Sequence, residues 1–338
     1  MNYIILPAFS LEPNKMSTYN RVFAPNKFTK DGVYKQKLHS ANKIVRSFHN
    51  FTISENAYRS LKRKINWLYY FSKAKHVKTY SGKDIFNFKI AFLTLTLPSK
   101  QQQPTAEITK HLFNQFLTEV RQRTGMKNYV WRLEFQKNKN VHYHIVTDTY
   151  LDYFLVLKIW NRILKKAGYT QAYTNKHKSL SFKGYCSLYN SDNSTDKNIM
   201  AKRYAKGCAN RWEQPNTVDV KSVISNKKIA NYISKYFAKS SDDSQVCNIL
   251  DTPENSKSLR LWFCSRSLSK LNSVSDFCEA VEYDIFALVS QIKEVRQHLG
   301  RWARTFYYDF NKCVEFEYRW LRKILYDYGK KQGYFELE

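Results

Sequence analysis

Acidic side chains are scarce in this sequence. Its 338 residues hold 28 Asp and Glu against 56 Lys and Arg, a formal net charge of +28. An excess of that size repels itself unless a polyanion neutralises it, so nucleic acid is the first partner to consider and an anionic membrane surface the second. No run of about 18 apolar residues is present to cross a bilayer, and the opening MNYIILPAF lacks the basic start and the length of a signal peptide. Glycine is also rare, with 9 residues, and no G-x-x-x-x-G-K-[ST] loop occurs, so these residues encode no P-loop helicase. The six cysteines (Cys186, Cys208, Cys247, Cys264, Cys278 and Cys313) form no C-x-x-C pair and fit neither a zinc ribbon nor a disulfide framework. They read as free thiols in a reducing compartment.

Aromatic residues, by contrast, are plentiful at 16% of the chain. Disordered basic tails are poor in aromatics, so this composition describes a folded protein with a basic exterior. The length allows a well-buried core and more than one folded unit. Three segments are expected: a basic, partly helical stretch over 1–82, a central domain over 83–270, and a helical extension over 271–338.

Periodicity supports that division. In ENAYRSLKRKINWLYYFSKAK, Tyr58, Leu61, Ile65 and Leu68 recur at helical spacing beneath a basic face. FKIAFLTLTLP alternates, with Leu93, Leu95 and Leu97 on one side and Phe92, Thr94 and Thr96 on the other, as in a half-buried strand ended by Pro98. An amphipathic helix follows from near Thr105 to Gly125. NYVWRLEFQ and VHYHIVTDTYL flank the polar turn KNKN as an antiparallel hairpin, and DYFLVLKIWNRILKKAG is a helix capped by Asp152 and stopped at Gly168. Residues 170–226 read as one or two strands with long loops, KKIANYISKYFAKSS as a helix, SLRLWFCSRSLS as a strand and turn, and the chain beyond 274 as helical. This order gives an α+β fold, a central antiparallel sheet with helices packed on it and an α-helical C-terminal extension.

Two constellations carry chemistry. Side chains two apart on a strand share a face, so His142 and His144 point one way while Val141, Tyr143 and Ile145 point into the core. Pairing Gln136 with His142 sets Glu134 opposite His144 on the same face. Two neutral imidazoles and a carboxylate suit Mg²⁺ or Mn²⁺ with open coordination positions better than a closed structural zinc. A solvent-facing strand can equally carry two histidines without any ligand, and a one-residue slip removes Glu134 from the set.

The second constellation is IANYISKYFAKS. There Tyr232 and Tyr236 lie one helical turn apart, each followed three residues later by a lysine, Lys235 and Lys239. Phenols ionise near pH 10, so tyrosine attacks phosphorus only where a metal polarises the phosphate and a cation favours phenolate. Tyrosines at this spacing otherwise serve as ordinary packing. Taken with the histidine pair and the basic excess, they point to the opening of a phosphodiester through a covalent phosphotyrosine.

At these motifs the chain resembles the HUH endonucleases of rolling-circle replication. FLTLTLP (92–98) looks like their first motif, HYH (142–144) like the histidine motif, and YISKYFAK (232–239) like the tyrosine motif in the two-tyrosine form of microvirus initiators. The resemblance spans roughly residues 85–270. It implies an HUH palm of ferredoxin or RRM-like type and a nickase for single-stranded or origin DNA. His142, His144 and Glu134 would hold the divalent metal. Tyr232 would attack first, keeping the 5′-phosphate, and Tyr236 would partner it in strand rejoining, with Lys235 and Lys239 beside the phosphate. It further implies host helicase and polymerase as partners and the cytoplasm of a bacterial host as location. Arg203, Lys206, Arg211, Arg260 and Arg266 are candidate DNA contacts on charge alone. Activity is expected to fall below about pH 6 as the imidazoles protonate. Two other readings stand beside this one: a single-tyrosine relaxase or transposase, and a nucleic-acid-binding protein without catalysis.

Overall fold

The computed structural model describes residues 4–23, 53–79, 81–191, 194–223, 249–252, 259–277, 295–308 and 319–334. Strands β1 (Ile4–Glu12) and β2 (Lys15–Phe23) form an N-terminal hairpin. Helix α1 (Glu55–Phe71) follows, with Leu61, Ile65 and Leu68 fully buried along one stripe. Strands β3 (Lys75–Lys78) and β4 (Asp84–Phe88) make a separate ribbon, and β5 (Ile90–Leu95) ends just before Pro98. Helix α2 (Thr105–Glu107) passes through a π-helical stretch, Ile108–Phe113, into α3 (Asn114–Thr124), which Gly125 closes at φ 67°. Pro104 before α2 offers no side-chain cap. Asp251 supplies one from far along the chain, accepting from the Thr105 backbone N–H and hydroxyl at 2.7 Å each.

Strands β6 (Tyr129–Phe135) and β7 (Val141–Thr147) are the anticipated hairpin. Helix α4 (Tyr153–Lys166) is capped by Asp152, whose carboxylate accepts from the Leu155 N–H at 3.0 Å, and Gly168 at φ 83° marks its end. Three further helices follow, α5 (Tyr169–Lys178), α6 (Phe182–Tyr189) and α7 (Lys197–Ala209), before β8 (Val218–Val223). Here the structure departs from the expected strands and loops of 170–226. The helices hold a small aromatic core of Tyr185, Met200 and Trp212, too few apolar positions to print a helical period on so polar a stretch. Their caps were visible, since Ser181 and Asp196 accept from N–H groups of the first turns of α6 and α7.

The described remainder comprises β9 (Trp262–Cys264), α8 (Arg266–Lys270), β10 (Val274–Phe277), β11 (Arg296–Leu299), β12 (Ala303–Tyr307) and α9 (Arg319–Lys331). Three of these are strands in a region read as helical. Their partners explain the miss. β10 pairs with β1 and β12 with β2, so both ends of the chain build one five-stranded sheet, ordered β10-β1-β2-β12-β11. Pairing across such separations leaves little trace in local pattern.

The fold is α+β, and the chain divides into two compact units. One holds that terminal sheet together with residues 62–71 and 265–338. Its buried Lys64 donates to the carbonyls of Ser269 and Leu271 and to Asn272 Oδ1. The other unit, 48–61 and 72–264, holds an antiparallel sheet ordered β8-β5-β7-β6-β9. One face of that sheet (Leu93, Leu95, Trp131, Leu133, Tyr143, Ile145) packs on the apolar stripes of α3 and α4 and forms the main core.

The helical insert gives the first test. Gly207 sits inside α7, where Ala is normally favoured by about 1 kcal/mol. A Cβ there would come within 2.2 Å of the Trp212 ring, which is buried against His177, Tyr185 and Tyr204. Gly207→Ala is therefore expected to destabilise by about 1–3 kcal/mol in urea denaturation. A gain in stability would show that the ring can move aside.

Candidate metal centre

Alternation along β5, β6 and β7 sorts the sheet into two faces. Opposite the main core lie Phe92 and Thr94 of β5, Arg132 and Glu134 of β6, and His142 and His144 of β7. The register differs from expectation by two residues: Glu134 pairs with His142, and Arg132 with His144. The cause is a tighter turn. The Gln136 N–H donates to the Asn140 carbonyl at 2.9 Å, leaving a three-residue loop, 137–139, in which Lys139 takes φ 64°. A shift of two preserves the face, so Glu134 stays with the histidines.

The imidazoles of His142 and His144 lie 4.5 Å apart, centre to centre. His144 is 2% exposed, stacked on Phe92 at 5.4 Å, and its Nδ1 is 3.1 Å from the Thr94 hydroxyl. That contact orients the ring and turns Nε2 toward Glu134, whose Oε2 is 3.4 Å away. Glu134 Oε1 is buried without a hydrogen-bond partner, with Arg132 Nε at 3.5 Å. His142 Nδ1 is likewise buried and unpartnered. Burial lowers the pKa of Arg132 from its ordinary value, with Glu134 opposing the shift. Burial first, and His144 second, push His142 down to about 3.

Buried nitrogen and oxygen atoms with no partner are what a cation-binding face offers before the cation arrives. The donor types fit a divalent ion. Among the described residues, however, no group of three or more His, Cys, Asp or Glu side chains is gathered closely enough to hold one. The two histidines and Glu134 are neighbours on one face, not a closed cage.

Tyr143, between the histidines, is wholly in the core. It stacks on Phe113 at 4.0 Å and bonds the Thr109 hydroxyl at 2.7 Å, and burial raises its phenol far above the ordinary value. Tyr232, Lys235, Tyr236 and Lys239 lie outside the described residues. Arg203 and Lys206 are exposed on α7, Arg211 is exposed just after it at φ 52°, and Arg266 is exposed on α8. Arg260 is exposed with its guanidinium 5.2 Å from the Phe263 ring centre, at the rim of a groove that also reaches Trp131 and His111.

Sequence reasoning missed Thr94 and Arg132 as members of this face. Both were within reach. W-R-L-E-F carries polar residues at 132 and 134 in the same alternation as the histidines, and Thr94 sits opposite His144 once β5 and β7 pair.

A family model for the replication-associated protein ORF2 matches residues 90–241, a little under half of the chain. The matched segment contains β5 to β8, the histidine pair and the tyrosine motif. This similarity supports a rolling-circle replication initiator family. Searches of curated proteins and of solved structures find no match. No described helix is long and apolar enough to cross a membrane.

The His142 shift fixes a pH dependence. An imidazole whose folded pKa lies below its unfolded value of about 6.5 takes up a proton on unfolding. Its stabilising contribution is therefore full above about pH 6.5 and is lost as pH falls from there toward 3. The upper limit is about 1.4 kcal/mol per pH unit, reduced because the ring is only half-buried. Between pH 7 and pH 5 the wild type should lose about 1–2 kcal/mol more than His142→Gln in urea denaturation. Equal losses would reject a buried neutral His142. The expectation of acid inactivation near pH 6 is corrected accordingly, because His142 itself resists protonation well below that point.

Proposed function

We propose that the protein is a replication initiator that nicks single-stranded or origin DNA with a divalent metal, through a 5′-phosphotyrosine, and rejoins the strand. The observation that carries this reading is the pair of buried, unpartnered ligand atoms, His142 Nδ1 and Glu134 Oε1, on one sheet face within the segment similar to replication-associated proteins. His142, His144 and Glu134 would hold the ion, whose chemistry is Lewis-acid polarisation of the scissile phosphate. Mg²⁺ and Mn²⁺ both suit two imidazole nitrogens and a carboxylate.

The chain's own parts of the reaction follow. His142 stays neutral and keeps its nitrogen lone pairs available at any physiological pH. Thr94 fixes the His144 ring. Glu134 brings the negative charge, and Arg132 beside it offsets part of the cost of burying that charge. The Tyr232 oxygen bonds phosphorus, its proton is lost as Lys235 favours phenolate, and the 3′-oxygen leaves as a hydroxyl that primes a host polymerase. Tyr236, with Lys239, serves the second transfer that closes the strand. The phosphotyrosine conserves the bond energy, so joining needs no nucleotide.

The absence of a ready three-donor cluster among the described residues favours one rival, a nucleic-acid-binding protein without catalysis. One experiment separates the two. The protein is incubated with Mn²⁺ and single-stranded DNA from the replicon that encodes it, and a protein–DNA adduct is sought on a denaturing gel. An adduct is expected, and a binding protein gives none with any metal. Tyr232→Phe and Tyr236→Phe should each cleave without closing circles, and the double variant should form no adduct. An adduct from the double variant would end the proposal. Thr94→Val should raise the Mn²⁺ concentration needed for half-maximal cleavage by about tenfold.

A further inference from the structure

The β3–β4 ribbon lies outside the metal face and has its own construction. One side of it, Val77 and Ile85, packs on the main core, and the other side faces solvent. Lys75 pairs with Phe88 but Val77 pairs with Ile85, so His76 is opposed by two residues, Phe86 and Asn87. The extra residue is Asn87, at φ 60°, a conformation that asparagine tolerates better than most side chains.

This bulge breaks the alternation. Without it, Phe86 and Phe88 would share a side. With it, Phe88 turns fully into the core, edge-on to Tyr150, while Phe86 stays 66% exposed. The ribbon thus buries one aromatic ring and holds the other out. Phe86 is not left loose, because His76 stacks on it at 4.6 Å and 13° between planes, and the His76 Nε2 lies 2.9 Å from Asp84 Oδ1. Between residues 73 and 89 the chain carries five lysines and one acid, Asp84. Lys78 and Lys83 are exposed at the ribbon's tip.

We infer that the Phe86–His76 pair is a stacking platform for a base of single-stranded DNA, with Lys78 and Lys83 contacting the flanking phosphates. An exposed, braced flat ring set among cations matches how proteins hold single strands without reading their sequence: π-faces take the bases and lysines take the backbone. A protein partner would be expected to meet a less one-sided charge. The inference rests on the reading of the chain as an enzyme of single-stranded DNA and adds a contact that reading does not assign.

The test is fluorescence anisotropy in EDTA, with the full chain and two labelled ligands of equal length, an oligothymidylate and an abasic oligonucleotide with the same phosphates. Without metal no nicking occurs, so failure of stacking and failure of the nickase proposal are read separately. Phe86→Ala should bind the oligothymidylate about tenfold more weakly and the abasic ligand unchanged, and Phe86→Trp should restore binding. Lys78→Glu with Lys83→Glu should weaken both ligands alike. If Phe86→Ala binds the oligothymidylate as the wild type does, or loses equally on both ligands, the platform is disproved. Phe86 is exposed, so its replacement leaves the core intact.

Discussion

The candidate centre depends on one constraint, the register of β6 against β7. Strand side chains alternate, so a slip of one residue would send Glu134 and Arg132 to the core face and leave the histidines facing apolar residues. Three features hold the register. The three-residue loop needs a residue at positive φ, met by Lys139. Asn140, buried at the end of the turn, accepts from the Gln101 N–H at 2.9 Å and donates to the Ser99 carbonyl at 2.8 Å. Gln101 in turn accepts from the Val141 N–H through its side-chain oxygen at 2.9 Å. A buried amide network that accepts only one alignment fixes the hairpin more sharply than apolar packing would. The loop that precedes α2 therefore sets which atoms face each other thirty to forty residues later.

The same register explains the electrostatics. Glu134 is largely buried, and a lone carboxylate there would be costly. Arg132, two residues earlier on the same strand and face, supplies the counter-charge. The histidine facing Arg132 across the strands is held by a hydroxyl, and the histidine facing Glu134 is neutral. Acid and guanidinium balance, so the face is close to neutral before any ion binds. An arriving dication would gain Glu134 and two imidazoles but meet Arg132 beside them. Such a site binds a metal only moderately, as suits an ion exchanged during turnover.

Much of the central unit was legible because its elements are amphipathic at a single period. The leucines of β5, the α3 and α4 stripes, the Asp152 cap and the glycines at 125 and 168 all state locally what they do globally. The faces of His142, His144 and Glu134 were legible for the same reason, since parity survives a two-residue error in register. What failed was whatever depends on distant partners. Strands β1 and β2 lie in a stretch read as partly helical and β10 to β12 in one read as helical, because their pairing joins the two ends of the chain. Helices α5 to α7 were read as loops because their core is a few aromatic rings and not an aliphatic stripe. The proximity of the tyrosine motif to the histidines concerns residues beyond those described.

The shortage of acids, the first feature of the sequence, returns as a rule of construction. Between residues 169 and 212 there are eight lysines and arginines against Asp192 and Asp196, so the insert cannot knit itself together with ion pairs. It uses rings instead. His177, 1% exposed, stacks on Trp212 at 4.9 Å and on Tyr189 at 5.6 Å, and its Nδ1 lies 2.7 Å from the Tyr173 carbonyl. Burial lowers the pKa of His177, which keeps one more positive charge out of a crowded basic element. Aromatic packing is indifferent to the charge outside it, so the cations can be spent wholly on the surface. Their mutual repulsion remains as a cost to the folded state, and a polyanion laid across them would remove it. Any ligand that binds the folded chain better than the unfolded one stabilises it to the same extent. For this protein, affinity for a nucleic-acid backbone and the stability of the basic insert are two measures of one electrostatic free energy.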